Sequence, residues 1–148
     1  MIKVIKQVIV MRNDLNMRKG KMVAQGAHAA LKVFLDRVKT DKNFMDMFET
    51  FCREKGYPVL EEQTYPISLT LDMLDWMDDK FTKICVRANS EEELVSIYHQ
   101  AKDANLPVAL ITDSGQTEFH GVRTKTCLAI GPADADAIDS ITGNLTLL

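Results

Sequence analysis

Polar and apolar positions alternate from Lys3 and then give way to the unbroken run Val8-Ile9-Val10-Met11, the pattern of a buried strand over 3–11. After the turn-like Arg12-Asn13-Asp14-Leu15-Asn16 the period changes. Val23, Ala27, Ala30, Leu31, Phe34 and Val38 recur at helical spacing and predict a helix over about 20–39 with that stripe as its packing face. The same spacing aligns Lys21, Gln25, His28 and Lys32 on the opposite side, within roughly 60° of one another. A second amphipathic helix is predicted over 42–55, with Phe44, Met47, Phe48 and Phe51 on one face and Gly56-Tyr57-Pro58 as its stop. Residues 57–68 read as irregular, and a short acidic helix follows over 69–79 around Leu71, Leu74 and Trp76.

Phe81 to Ala88 reads as a strand. Ser90-Glu91-Glu92-Glu93 is a capping box that opens a helix turning Leu94, Ile97, Tyr98 and Ala101 inward and ending near Asn105. Pro107–Thr112 is a third strand, apolar enough for burial on both faces. Asp113 to Lys125 is a polar loop with Gly115 and Gly121, residues 126–130 a fourth strand, Gly131-Pro132 a turn and 134–142 a last short helix. The resulting order, β-α-(α-α)-β-α-β-β-α, predicts an α/β fold: a single-domain three-layer sandwich, with a four-stranded mixed sheet and helices on both faces. A length of 148 residues without repeats or low-complexity linkers fits one domain.

The composition changes the picture in three ways. No apolar run approaches the roughly 20 residues of a membrane span, and the start lacks the features of a signal peptide, so no membrane partner is expected. Cys52, Cys85 and Cys127 are odd in number and far apart, which argues against a disulfide framework or zinc site and for a reducing cytoplasm. The net charge of −3 conceals an asymmetry: residues 1–39 carry +7, residues 40–82 carry −6 and residues 83–148 carry −4. Phosphates respond to charge within a Debye length of roughly 8–10 Å, so a basic first quarter accommodates a nucleic-acid partner that the total seems to exclude.

Phosphate-loop, dinucleotide and nucleophile-elbow motifs are absent, and His28, His99 and His120 do not pair with cysteines at metal-ligand spacing. Two clusters remain. In 17–29, Arg18, Lys19 and Lys21 crowd the start of a helix, where its dipole disfavours cations and favours an anion. An oxyanion site and a set of merely solvated lysines both answer to this pattern. His28 faces away from the apolar stripe. In 112–119, Asp113 follows a strand directly, in position to orient a water, to pair with a lysine of the first cluster, or simply to cap a turn. Thr117 and Thr126 offer hydroxyls to a developing oxyanion, or simply favour strand edges.

Three segments, Lys-Gly-Lys-Met-Val-Ala-Gln-Gly-Ala-His-Ala-Ala (19–30), Leu-Pro-Val-Ala-Leu-Ile-Thr-Asp-Ser-Gly-Gln-Thr (106–117) and Thr-Cys-Leu-Ala-Ile-Gly-Pro (126–132), carry a family resemblance, and 138–148 adds to it. In these the chain resembles the peptidyl-tRNA hydrolases of the archaeal and eukaryotic type. The resemblance implies hydrolysis of the ester between peptide and tRNA, no metal or organic cofactor, and often a homodimer. It places the functional lysine at Lys19 or Lys21, the helix glutamine and histidine at Gln25 and His28, and the loop aspartate and threonine at Asp113 and Thr117. The threonine opening the last strand falls at Thr126. Two departures stand out: Gln116 replaces a common arginine, and residues 40–75 look like an acidic helical insertion. The expected chemistry has Asp113 acting on water, Lys19 or Lys21 and a threonine stabilising the oxyanion, and Arg12, Arg18 and Lys32 meeting tRNA phosphates. The rival expectations are a non-catalytic RNA-binding module and a hydrolase of another small ester.

Overall fold

Strand β1 (Ile5–Arg12) runs through the middle of the molecule and is buried from Gln7 onward, because its apolar run has to be covered on both faces. The computed structural model describes residues 2–39, 42–58 and 65–148. Beyond β1 the elements are α1 (Lys19–Leu35), α2 (Lys42–Lys55), α3 (Leu71–Asp78), β2 (Lys83–Ala88), α4 (Glu91–Asp103), β3 (Val108–Asp113), β4 (Thr124–Asp134) and α5 (Ala135–Thr142). The sheet order is β2-β1-β4-β3. β2 is parallel to β1, while β4 is antiparallel to both β1 and β3. β1, β2 and β3 therefore share one direction, and their carboxyl ends meet at one edge of the sheet.

Alternation along the strands divides the core in two. Val8, Val10, Leu128 and Ile130 face Leu94, Ile97 and Ala101 of α4 and Ile138 of α5. Ile9, Met11, Cys127 and Ala129 face Ala29 and Val33 of α1 and Met73 of α3. The expected sandwich, a mixed sheet with helices on both faces, is what the chain forms. Ser90 Oγ accepts the Glu93 N–H at 3.1 Å, and the Glu93 carboxylate accepts the Asn89 N–H at 2.8 Å, one residue ahead of the cap.

Two sequence expectations are corrected. Gly131-Pro132 is not a turn between elements, since β4 continues through it to Asp134. Gly131 takes a φ of +91°, and a Cβ there would stand 2.6 Å from the Lys6 carbonyl oxygen. Only glycine permits this irregularity, after which Ala133 and Asp134 pair with Lys6 and Ile5.

The second correction is the facing of α1. Half of its predicted packing stripe points outward: Val23 is 74% and Leu31 56% exposed and Ala27 is exposed, while Ala30 and Phe34 still pack against the edge of the core. The buried positions are Gln25, Gly26, Ala29 and Val33, a rotation of roughly a third of a turn. Small residues decide this, for they let the helix lie close on the sheet. A Cβ added at Gly26 would already be in ordinary contact with Met11 and Ile9, at 3.7–3.9 Å.

In the expected insertion, α2 exposes Met47, Phe48 and Phe51. Residues 40–41 and 59–64, and the Phe44 side chain, lie outside the described residues.

Candidate active site

The rotation of α1 turns Lys21 and Gln25 toward the edge where β3 ends. Asp113 is the last residue of β3, and Thr126 is the β4 residue skipped where the β3–β4 register shifts between Ile111 and Thr112. A helix and two strands thus deliver four polar side chains to one place.

Asp113 is the hub. Its Oδ1 accepts hydrogen bonds from Lys21 Nζ at 2.9 Å and Gln25 Nε2 at 3.1 Å, and its Oδ2 accepts the Gly115 N–H at 2.9 Å. The hydrogen bond from Lys21 is the largest effect on its pKa; with the Gly115 N–H, the Lys21 charge and the Gln25 amide it holds the carboxyl below the ordinary aspartate value, although desolvation pulls the other way. Lys21 Nζ also donates to Thr117 Oγ1 at 2.8 Å. Lys21 and Asp113 are 12% and 13% exposed at their side chains, shielded yet reachable.

Gln25 is held from behind. Thr126, fully buried, donates its hydroxyl to Gln25 Oε1 at 2.5 Å, and Cys127 Sγ donates to the Gln25 carbonyl at 3.2 Å. Burial pushes the Cys127 thiol up to about 12, so it stays a protonated donor.

The accounting of donors and acceptors defines what remains for a ligand. An ammonium has three N–H groups, and Lys21 spends two on Asp113 and Thr117. A carboxylate offers about four lone-pair positions, and three are taken on Asp113. One N–H on Lys21, one lone pair on Asp113 Oδ2 and the Thr117 O–H are left for an incoming group. This is the complement of an oxygen that gains charge beside a polarised water.

The other expected residues divide clearly. Lys19 is exposed and forms no hydrogen bond or ion pair among the described residues, so Lys21 alone reaches Asp113. Gln25 and Thr126 are buried and bear on Asp113 from behind, not on the open side of the site. Arg12, expected at the surface, is buried. Its guanidinium grips Asp14 at 2.7 and 3.1 Å, donates to the Lys125 carbonyl at 3.0 Å and faces Glu91 at 3.5 Å. The chain's own carboxylates occupy it, which removes it from phosphate binding. Arg18 is 82% exposed at its side chain, with Nε 2.8 Å from Glu118. Lys32 pairs with Asp36 one helical turn on, and His28 is exposed.

Sequence reasoning did not single out Glu118 or Phe119, although both lie in the 112–119 cluster. Phe119 packs against the α1 side of the core, with its ring centroid 5.5 Å from Lys21 Nζ. Its signal was an aromatic residue inside an otherwise polar loop.

Among the described residues no group of three or more His, Cys, Asp or Glu is placed to hold a metal ion, and no helix is long and apolar enough to cross a membrane. Residues 5–148 match the family model described as peptidyl-tRNA hydrolase PTH2. A peptidyl-tRNA hydrolase of Methanocaldococcus jannaschii is 37% identical over 143 residues, covering 97% of this chain and 99% of the relative. Those of Saccharolobus islandicus and Saccharolobus solfataricus are 35% identical over 144 residues, with the same two shares covered. With the Lys21–Asp113 centre formed from two of the segments that carried the resemblance, the chain belongs to the peptidyl-tRNA hydrolase PTH2 family.

Proposed function

We infer that this protein hydrolyses the ester between peptide and terminal ribose in peptidyl-tRNA, with Asp113, Lys21 and Thr117 at the reacting bond. The observation that carries the residue roles is the Lys21–Asp113 ion pair, which leaves one Lys21 N–H and one Asp113 lone pair unused next to the exposed Thr117 that Lys21 also bonds. Family membership supplies the substrate class.

In this reading a water bound to Asp113 Oδ2 adds to the ester carbonyl carbon while its proton moves toward the carboxylate. The carbonyl oxygen becomes an oxyanion, met by the third N–H of Lys21 and by the Thr117 O–H. Collapse of the tetrahedral adduct breaks the bond to the ribose oxygen, which takes the proton and leaves as a hydroxyl. Asp113 is a weak base because Lys21 lowers its pKa, so its larger contribution is to orient the water. Gln25 and Thr126 hold Asp113 in line.

Arg18 and Lys19 are exposed and Lys32 is half-buried with an accessible side chain; these cations of α1 and its cap are assigned to tRNA phosphates, with the exposed His28. The substrate is the partner in this assignment, and cytoplasmic residence follows from it. We read residues 1–148 as one domain carrying 40–75 as an insertion, and a homodimer as its assembled form.

The test is release of labelled peptide from peptidyl-tRNA. Asp113→Ala and Lys21→Ala should each abolish most turnover. Normal rates in both would overturn the assignment.

A further inference from the structure

We propose that Phe119 is a positioning residue for the hydrolytic site, its ring holding the Lys21 ammonium against Asp113 and Thr117. The inference rests on the hydrolytic reading above and extends it to a residue that touches neither substrate nor Asp113.

The loop after β3 is wound tightly on itself. The Gly121 N–H donates to the Gly115 carbonyl at 2.9 Å, and the Val122 N–H to the Phe119 carbonyl at 2.9 Å. Gly115 has a φ of +82°, and a Cβ there would fall 2.2 Å from the Val122 carbonyl oxygen, so any larger residue would force the crossing apart. The crossing presents Thr117, Glu118 and Phe119 as consecutive residues to one turn of α1. Thr117 Oγ1 receives Lys21 Nζ at 2.8 Å. Glu118 Oε1 receives Arg18 Nε at 2.8 Å, three residues before Lys21. Phe119 lies against the core with its ring 5.5 Å from the same Nζ.

These contacts have different physical effects. A lysine has four rotatable side-chain bonds, and the two oxygens fix only the directions of two N–H groups. A ring face within about 6 Å attracts the ammonium and blocks its retreat over the apolar side. It also excludes water from that side, which strengthens the field Lys21 presents to an oxyanion. Glu118, bonded to the exposed Arg18, fastens the loop to α1 so that the ring stays in register. The ring exchanges no proton and acts only through Lys21.

The experiment compares Phe119→Leu, which keeps apolar volume, with Phe119→Tyr, which keeps the aromatic face, using peptidyl-tRNA turnover. Leucine should lower kcat by about fivefold with KM within about twofold, and tyrosine should restore kcat to within about twofold of the parent. In a Lys21→Ala background the Leu variant should cost nothing further, because the effect passes through Lys21. Unchanged kcat in Phe119→Leu, or an equal loss with and without Lys21, would overturn the proposal. The ring-current shift of the Lys21 ε-methylene protons provides a readout independent of turnover. It should be present in the parent and Tyr variant and lost in the Leu variant; its absence from the parent would also overturn the proposal. Failure of the parent protein to release peptide would instead sink the hydrolytic reading, with the proton shifts still deciding whether Phe119 holds Lys21.

Discussion

The Thr126 hydroxyl donates to Gln25 Oε1 across 2.5 Å, and that bond decides which end of the Gln25 amide faces Asp113. With Oε1 claimed from β4, Nε2 is turned to the Asp113 carboxylate at 3.1 Å. A buried hydroxyl therefore orients a buried amide, which in turn orients an ionised carboxylate at the site.

Thr126→Val tests that relay. The substitution keeps shape and removes the only hydroxyl, leaving a buried amide oxygen unpaired at a cost of about 1–3 kcal/mol. Thermal unfolding should report that loss. The kcat for peptidyl-tRNA should fall by about tenfold with little change in KM, because a misplaced Asp113 affects the reacting geometry and not the tRNA contacts.

Asp113→Asn and Lys21→Ala remove the two reacting charges. Each should reduce kcat by about 10²–10³, the range for a positioned general base or an oxyanion donor. The double variant should fall little further, since the two residues act as a unit. Single-turnover release of peptide measures all three.

The pH dependence follows from the depressed Asp113 pKa. A carboxylate whose folded pKa lies below its unfolded value adds stability above the unfolded pKa, and that stability is lost as pH falls through the folded one. Activity that needs the ionised carboxylate should accordingly persist to below the ordinary aspartate value of 3.8. Because the hydrogen bond from Lys21 is the largest cause of the depression, Lys21→Ala should move the acid limb of the residual kcat profile upward.

Arg12 and Arg18 should separate under salt. Arg18→Ala removes an exposed cation and should reduce the slope of log affinity against log salt by about one, with no loss of fold. Arg12→Ala should leave the slope unchanged and lower stability by about 1–3 kcal/mol, because Asp14 and the Lys125 carbonyl lose a buried partner. Filter binding to tRNA across a salt series, with parallel melting curves, distinguishes them.

Much of the fold was legible in the order of residues. Hydrophobic period marked β1, α4 and β3 because each buries a side or a length that local geometry fixes, and the Ser90 cap began α4 where expected. The candidate residues of the site were also visible, through the turn after β3 and the basic start of α1. Roles were not legible: Lys19 and Lys21, two residues apart, look alike in sequence, yet only Lys21 meets Asp113, which is 92 residues away along the chain.

What the sequence determined by itself is the set of elements and the α/β class, since helical and strand periods and caps are properties of neighbouring residues. The rotation of α1 about its axis was set by long-range packing. Hydrophobicity alone points Val23 and Leu31 inward. Close packing of Gly26 and Ala29 on Ile9 and Met11, with Gln25 bonded to Thr126 and Asp113, points them outward instead. Side chains remote in sequence can satisfy a buried amide and close a helix onto a sheet only once the strands have paired, and that choice placed Lys21 at the site.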